Sequence, residues 1–147
     1  AVKLIASAMA GGLTLLAGLI AWSHAGAAGI IPTAHQLRLI NLLTTIVMVA
    51  AVLAIVASEV LWRIVMRRAS GELNARVQTA FLVRLACREG AALFGMMVSY
   101  LAARDGVLRA YPAYWVNMAP YALFLSFLVL HWPSAEKLAA EAGEVLP

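Results

Sequence analysis

Between short polar connections, this chain carries apolar stretches about as long as a bilayer is thick, and that constrains its fold more than any other feature. Crossing the roughly 30 Å hydrocarbon core takes about 20 helical residues. With no water in the core, a spanning segment must satisfy its own backbone, which favours helices. Residues 3–23, 37–66, 77–103 and 113–132 are long enough. The expected fold is therefore all-α: an integral membrane four-helix bundle made of two antiparallel transmembrane hairpins. It forms a single domain over residues 1–133, followed by a short cytoplasmic tail at 134–147. Composition agrees, since 64% of the 147 residues are hydrophobic and 12% are charged, against about 45–50% and about 25% in ordinary globular chains.

The first stretch is followed by "AGAAG", which imitates a small-residue cleavage site. Its length and its small residues instead read as a retained helix. The second stretch is longer than the core is thick, so tilt or projection into the headgroups is expected. "RRASGELNAR", residues 67–76, is a polar turn broken by Ser70 and Gly71. Pro120 lies inside the fourth stretch and is expected to kink it, and Pro133 ends it. Lys3, Arg63, Arg67, Arg68, Arg76 and Lys137 fall on one side, while Arg38, Arg104 and Arg109 fall on the other. The positive-inside rule makes the first side cytoplasmic, with both termini inside. The localisation expected is a bacterial inner membrane. Trp22, Tyr111, Tyr114 and Trp115 mark the outer interface, and Trp62 and Trp132 the inner one.

Within this frame "RLACREGAALFG", residues 84–95, is anomalous, because it places three charges in an apolar run. A charge at the bilayer centre costs roughly 2.5–3.5 kcal/mol even on the lenient insertion scale. Counted from Arg76, Arg84 lies about 12 Å along the helix and Arg88 and Glu89 about 18 Å along it, near the midplane. The short turn makes the second and third stretches antiparallel neighbours. Glu59, eight residues before Arg67, then matches Arg84, eight after Arg76. Arg84 and Arg88 share a helix face at i, i+4. One carboxylate, Glu59, is thus expected to bridge to Arg84 or Arg88, with Arg63 one turn below. Glu89 points about 100° away from Arg88. Thr14 and Ser126 lie near its depth as hydrogen-bond partners, so its carboxyl can donate a hydrogen bond or carry a proton.

Ala91, Gly95 and Ser99 form a small-residue packing stripe, and Ala10, Thr14 and Gly18 form another. His24, His35 and His131 are placed as interfacial residues, not as a facing pair for haem. Cys87 is alone, without metal-ligand spacing. The methionines read as filler. No catalytic constellation and no nucleotide-binding loop is recognisable, so no catalytic, cofactor-binding or metal residue is assigned. The formal charge of +4 is explained by topology, because the basic residues form no stripe among stacking aromatics, and nucleic acid is excluded as a partner.

"RLACREGAALFG", followed after the fourth stretch by "HWPSAEKL", resembles a pattern in small four-span bacterial membrane proteins with no assigned activity. The resemblance covers the second half of the chain and implies a four-helix bundle but no reaction. An intramembrane glutamate amid small residues is also similar to the rotor subunit of rotary ATPases, which implies Glu89 as proton carrier. The glycine-repeat helix of that family is absent here. Four spans in about 150 residues look like the membrane glutathione-transferase family as well, but its Asn-x-x-Glu element is missing, since Asn74 is followed three residues later by Val77.

The expected role is a structural or accessory subunit of a membrane complex or homo-oligomer. Its expected partners are the lipid bilayer and other membrane subunits or itself. The alternatives are a proton- or ion-conducting protein using Glu89 and, behind it, a lipid- or quinone-binding membrane enzyme at the basic inner face.

Overall fold

The computed structural model of the chain describes residues 2–68 and 73–132. Every regular element among them is helical: α1 (Val2–Gly26), α2 (Ala34–Arg68), α3 (Leu73–Arg104), α4 (Val107–Ala110), a 3-10 segment (Pro112–Met118) and α5 (Ala119–Leu130). Among the described residues, three stretches are long and apolar enough to cross a membrane: Val2–Gly26, Ala34–Arg67 and Pro112–Leu130. The remaining long helix, α3, is set apart by the charges of Arg84, Arg88 and Glu89 along its middle.

That difference has a structural counterpart, because α3 is the element around which the others gather. It packs most extensively on α2, then on α1, α5 and the 3-10 segment. Polar groups on a central helix meet protein instead of lipid, which is where ionisable residues are tolerated in such chains. The outer helices bury narrow seams. In α1 the deepest side chains, Ala6, Leu13 and Ile20, recur every seven residues, as they do when helices interlock side chains at a shallow angle. The rest of α1 turns outward, with Leu15 and Trp22 each 79% exposed.

Two turn devices hold the ends. Thr33 and Gln36 form a reciprocal cap: the Thr33 hydroxyl oxygen accepts from the Gln36 N–H (3.3 Å), and Gln36 Oε1 accepts from the Thr33 N–H (2.8 Å). This Thr-x-x-Gln capping box starts α2 at Ala34, three residues before the expected 37. At the same end of the molecule, Gly106 adopts φ +74°, and a Cβ there would sit 2.7 Å from the Ile30 carbonyl oxygen. Glycine therefore lets the turn after α3 lie directly on the α1–α2 connection.

Several boundaries differ from expectation. Helix α3 begins at Leu73 instead of 77, so much of the expected polar turn is helical. The stretch expected as a helix over 113–132 divides into the 3-10 segment and α5. Pro120, expected to kink this stretch, falls where the 3-10 segment gives way to α-helix. It stands in the first turn of α5, where a proline's missing N–H would have had no intrahelical partner in any case. The tail at 134–147, with Lys137, lies outside the described residues.

The contacts also fix the level of the charges along α5. Gly95 lies against Asn117 and Pro120, while the Arg88 guanidinium sits over the Phe127 ring. Both helices thus advance seven residues between contacts, running antiparallel. Phe127 is one turn from the end of α5, so the Arg88 guanidinium stands about 5 Å inside that end. Pro112–Leu130, the stretch that α5 completes, is about 32 Å long from its 3-10 and α-helical rises. Its middle is level with Gly95 and Pro120, not with the charges. Helix α3 thus runs about 18 Å past the last residue of α5.

Candidate functional site

The charged cluster is assembled from three helices. Ser58 and Glu59 come from α2, Arg84 and Arg88 from successive turns of α3, and Phe127 from α5. Arg84 grips Glu59 in the forked manner of a guanidinium on a carboxylate. Its Nε donates to Oε1 at 2.9 Å and its Nη2 donates to Oε2 at 2.8 Å. Arg88 Nη2 donates to the same Oε1 at 2.7 Å, and its Nε donates to Ser58 Oγ at 3.3 Å. Ser58 Oγ in turn donates to the Ile55 carbonyl at 2.7 Å. One carboxylate thus serves two cations.

Aromatic rings complete the enclosure. The Arg88 guanidinium lies 4.0 Å from the centre of the Phe127 ring, and that of Arg84 lies 5.0 Å from Phe127 and 5.4 Å from Trp62. The negative face of a ring attracts a desolvated cation. Phe127 also stacks with Phe81 (6.2 Å between centres) and His131 (4.6 Å). Side-chain exposure is 12% for Arg84, 16% for Arg88 and 37% for Glu59. The arginines are therefore the buried partners, and the acid faces outward. Two guanidiniums against one carboxylate leave the cluster one positive charge in excess.

The structure brings Glu59, Arg84 and Arg88 into one contact set and leaves Arg63 out of it, exposed one turn along α2. It does not join Glu89 to Thr14 or Ser126. Thr14 Oγ1 donates to the Ala10 carbonyl at 2.7 Å and meets Tyr121 Oη at 3.2 Å, and Ser126 Oγ donates to the Ala122 carbonyl at 2.8 Å. Both hydroxyls are taken up on their own helices, as Ser and Thr commonly are inside a helix. Among the described residues Glu89 is half-buried and makes no hydrogen bond or ion pair. Of Ala91, Gly95 and Ser99, the last two are buried and the first is half-buried. Ser99 is fully buried, Ala91 faces Pro120 across a crevice, and Gly95 meets the Asn117 backbone. The other small-residue stripe is different: a Cβ added at Gly18 would meet nothing within 4 Å.

Sequence reasoning missed the residues that complete the site. Phe127 and His131, four apart on α5, were a legible i, i+4 pair, but nothing local showed that their level is that of Arg88. It also missed Asn117, fully buried, whose Nδ2 donates to Thr44 Oγ1 at 2.9 Å and to the Tyr114 carbonyl at 3.0 Å. His24 stacks edge-on against Trp115, 5.4 Å between centres, and His35 is exposed at the start of α2. Among the described residues no three His, Cys, Asp or Glu side chains gather as a metal site. Comparison with protein-family models, curated proteins and solved structures gives no match.

Proposed function

We propose that this chain is a small bacterial inner-membrane protein, a four-helix transmembrane bundle with both termini in the cytoplasm. In this reading it acts as a structural or accessory subunit, either of a larger membrane complex or of a homo-oligomer. The observation that carries the reading is how the arginines of α3 are used. Both are committed to Glu59 and to aromatic faces on neighbouring helices, the arrangement expected of polar groups that hold helices in register. The outward apolar surface adds support, since Leu15 and Trp22 on α1 and Val52 and Leu53 on α2 are each more than half exposed. Such surface suits lipid or a neighbouring subunit.

The test is native mass spectrometry of the protein extracted gently from its own membrane. A heteromeric or homo-oligomeric mass is expected, and a monomer retained at all concentrations would overturn the subunit reading. A second reading draws on Glu89, a half-buried acid with no partner among the described residues. It makes the chain a proton or ion conductor with Glu89 as carrier. Glu89→Gln keeps the side chain's shape and hydrogen-bonding capacity but cannot carry a proton. Loss of flux through reconstituted vesicles with assembly intact would favour conduction. Unchanged flux, or no flux in the parent protein, would remove it.

A further inference from the structure

The connection between α1 and α2 is polar only at its ends. From Ala25 to Pro32 it reads "AGAAGIIP", without one polar side chain. Gly29 turns the chain at φ +84°. Gly106 lies against Ile30, where an added Cβ would sit 3.1 Å from the Ile30 Cβ. That contact fixes the connection on the end of α3 yet leaves its isoleucines uncovered, with Ile30 47% and Ile31 87% exposed.

The exposed apolar surface continues from there along α1. Trp22, Ala27 and Ile30 line one shallow groove of about 270 Å³, with Arg104 of α3 at its rim. Trp22 is 79% exposed. The Arg104 side chain is 68% exposed and approaches Asp105 at 3.9 Å. The groove joins the connection to the outward face of α1, a stretch long and apolar enough to cross a membrane. Lipid that covers that face therefore reaches Ile30 without a break. An exposed tryptophan beside a long basic side chain suits the headgroup boundary.

Length and backbone set the depth. The 25 residues of α1 span about 37 Å, so a centred helix passes the roughly 30 Å hydrocarbon core by about 4 Å at each end. The connection thus begins close to the hydrocarbon edge. It cannot go deeper, because an irregular backbone needs water or headgroups as partners. Between Ala27 and Pro32, among the described residues, backbone donation is confined to the N–H groups of Ala27 (3.1 Å) and Ile30 (3.3 Å). The polar start of α2 tolerates the same level. Thr33 and Gln36 satisfy each other, while His35 and Arg38 are exposed and keep their polar tips toward the headgroups.

We propose that this connection is a lipid-contacting element, with Ile30 and Ile31 in the boundary layer of the bilayer against the first carbons of the lipid chains. Trp22 and Arg104 stand beside them at the headgroups. The inference rests on α1 and α2 crossing a membrane and is independent of the subunit and conduction readings. The α1–α2 hairpin then barely emerges from the bilayer, and its apolar tip anchors the depth of α1.

The experiment is spin labelling of the full chain in phosphatidylcholine vesicles, with Ile31→Cys and, separately, Leu15→Cys introduced beside Cys87→Ala. Collisions of the nitroxide are measured with oxygen, which concentrates in lipid, and with a water-soluble nickel complex. At Ile31 the oxygen rate is expected to exceed the nickel rate, and the nickel rate to fall several-fold below that of the free label in buffer. Leu15, 79% exposed in the middle of α1, is expected to show a still larger oxygen excess. A label at Ala28 repeats the measurement should Ile31→Cys disturb the turn. Nickel access at Ile31 equal to that of the free label overturns the proposal by placing the connection in water. Shielding from both reagents overturns it by placing the connection under protein, from a partner or a second copy. Free nickel access at Leu15 as well would mean that the membrane reading itself has failed.

Discussion

The two halves of α3 are held by opposite means. In the half nearer the α2–α3 turn its neighbours are bridged by long charged side chains, with Glu59 reaching across to Arg84 and Arg88 and rings closing over them. Seven residues beyond Arg88 the chain comes so close that Gly95 touches the Asn117 backbone. There the side-chain bridges are neutral, the amide of Asn117 on Thr44 and the hydroxyls of Thr14 and Tyr121. The difference teaches where charge is affordable. Long charged side chains bridge α2 and α3 where the acid is incompletely buried and desolvation costs less. In the middle of the Pro112–Leu130 stretch, contact is made by removing side chains.

This contrast can be broken at either end. The largest effect is expected at the close approach, where Gly95→Val would drive branched carbon into the Asn117 carbonyl. A backbone neighbour cannot swing aside, so a loss of about 3 kcal/mol is expected, read as unfolding in mixed micelles at lower denaturant. Next comes Glu59→Gln, which strands two guanidiniums. Removing one partner of a fully buried pair costs about 3–5 kcal/mol. With the Glu59 side chain 37% exposed, about 2 kcal/mol is expected, and the loss should shrink when an anionic detergent replaces a zwitterionic one.

Smaller changes sharpen the comparison. Phe127→Leu keeps an apolar side chain but removes the ring face shared by both arginines, for an expected loss of about 1–2 kcal/mol in the same unfolding measurement. Asn117→Ala removes two hydrogen bonds, yet its Oδ1 has no partner among the described residues, so the change also relieves an unsatisfied group. About 1 kcal/mol is expected. Glu89→Gln should alter stability by less than about 0.5 kcal/mol, the range of a substitution that breaks no contact. An effect as large as that of Glu59→Gln would mean that Glu89 belongs to the clamp.

Much of the clamp was legible because its geometry is set by counting. A short turn forces α2 and α3 into antiparallel contact, and residues equidistant from it must face each other, which places Glu59 opposite Arg84 with Arg88 one turn on. The Thr33-x-x-Gln36 cap was equally present in the sequence and could have set the start of α2. The level of α5 was not legible. It follows the connection at Arg104–Pro112, which folds into a helical turn and a 3-10 segment whose rise per residue differs from that of an α-helix. Counting along the chain therefore lost the register of α5 against α3.

By itself the sequence determined the helical class, the apolar lengths that suit a membrane, and the pairing across one tight turn. Each depends on spacing along a single helix or across one short connection. Only the tertiary structure decided that α3 is the central helix, that Phe127 and Trp62 roof the arginines, and that α2 and α5 leave a crevice between them. These are relations between segments distant in sequence. They depend on how far one helix slides past another, and that is settled by the fit of whole faces, with no local signal to announce it.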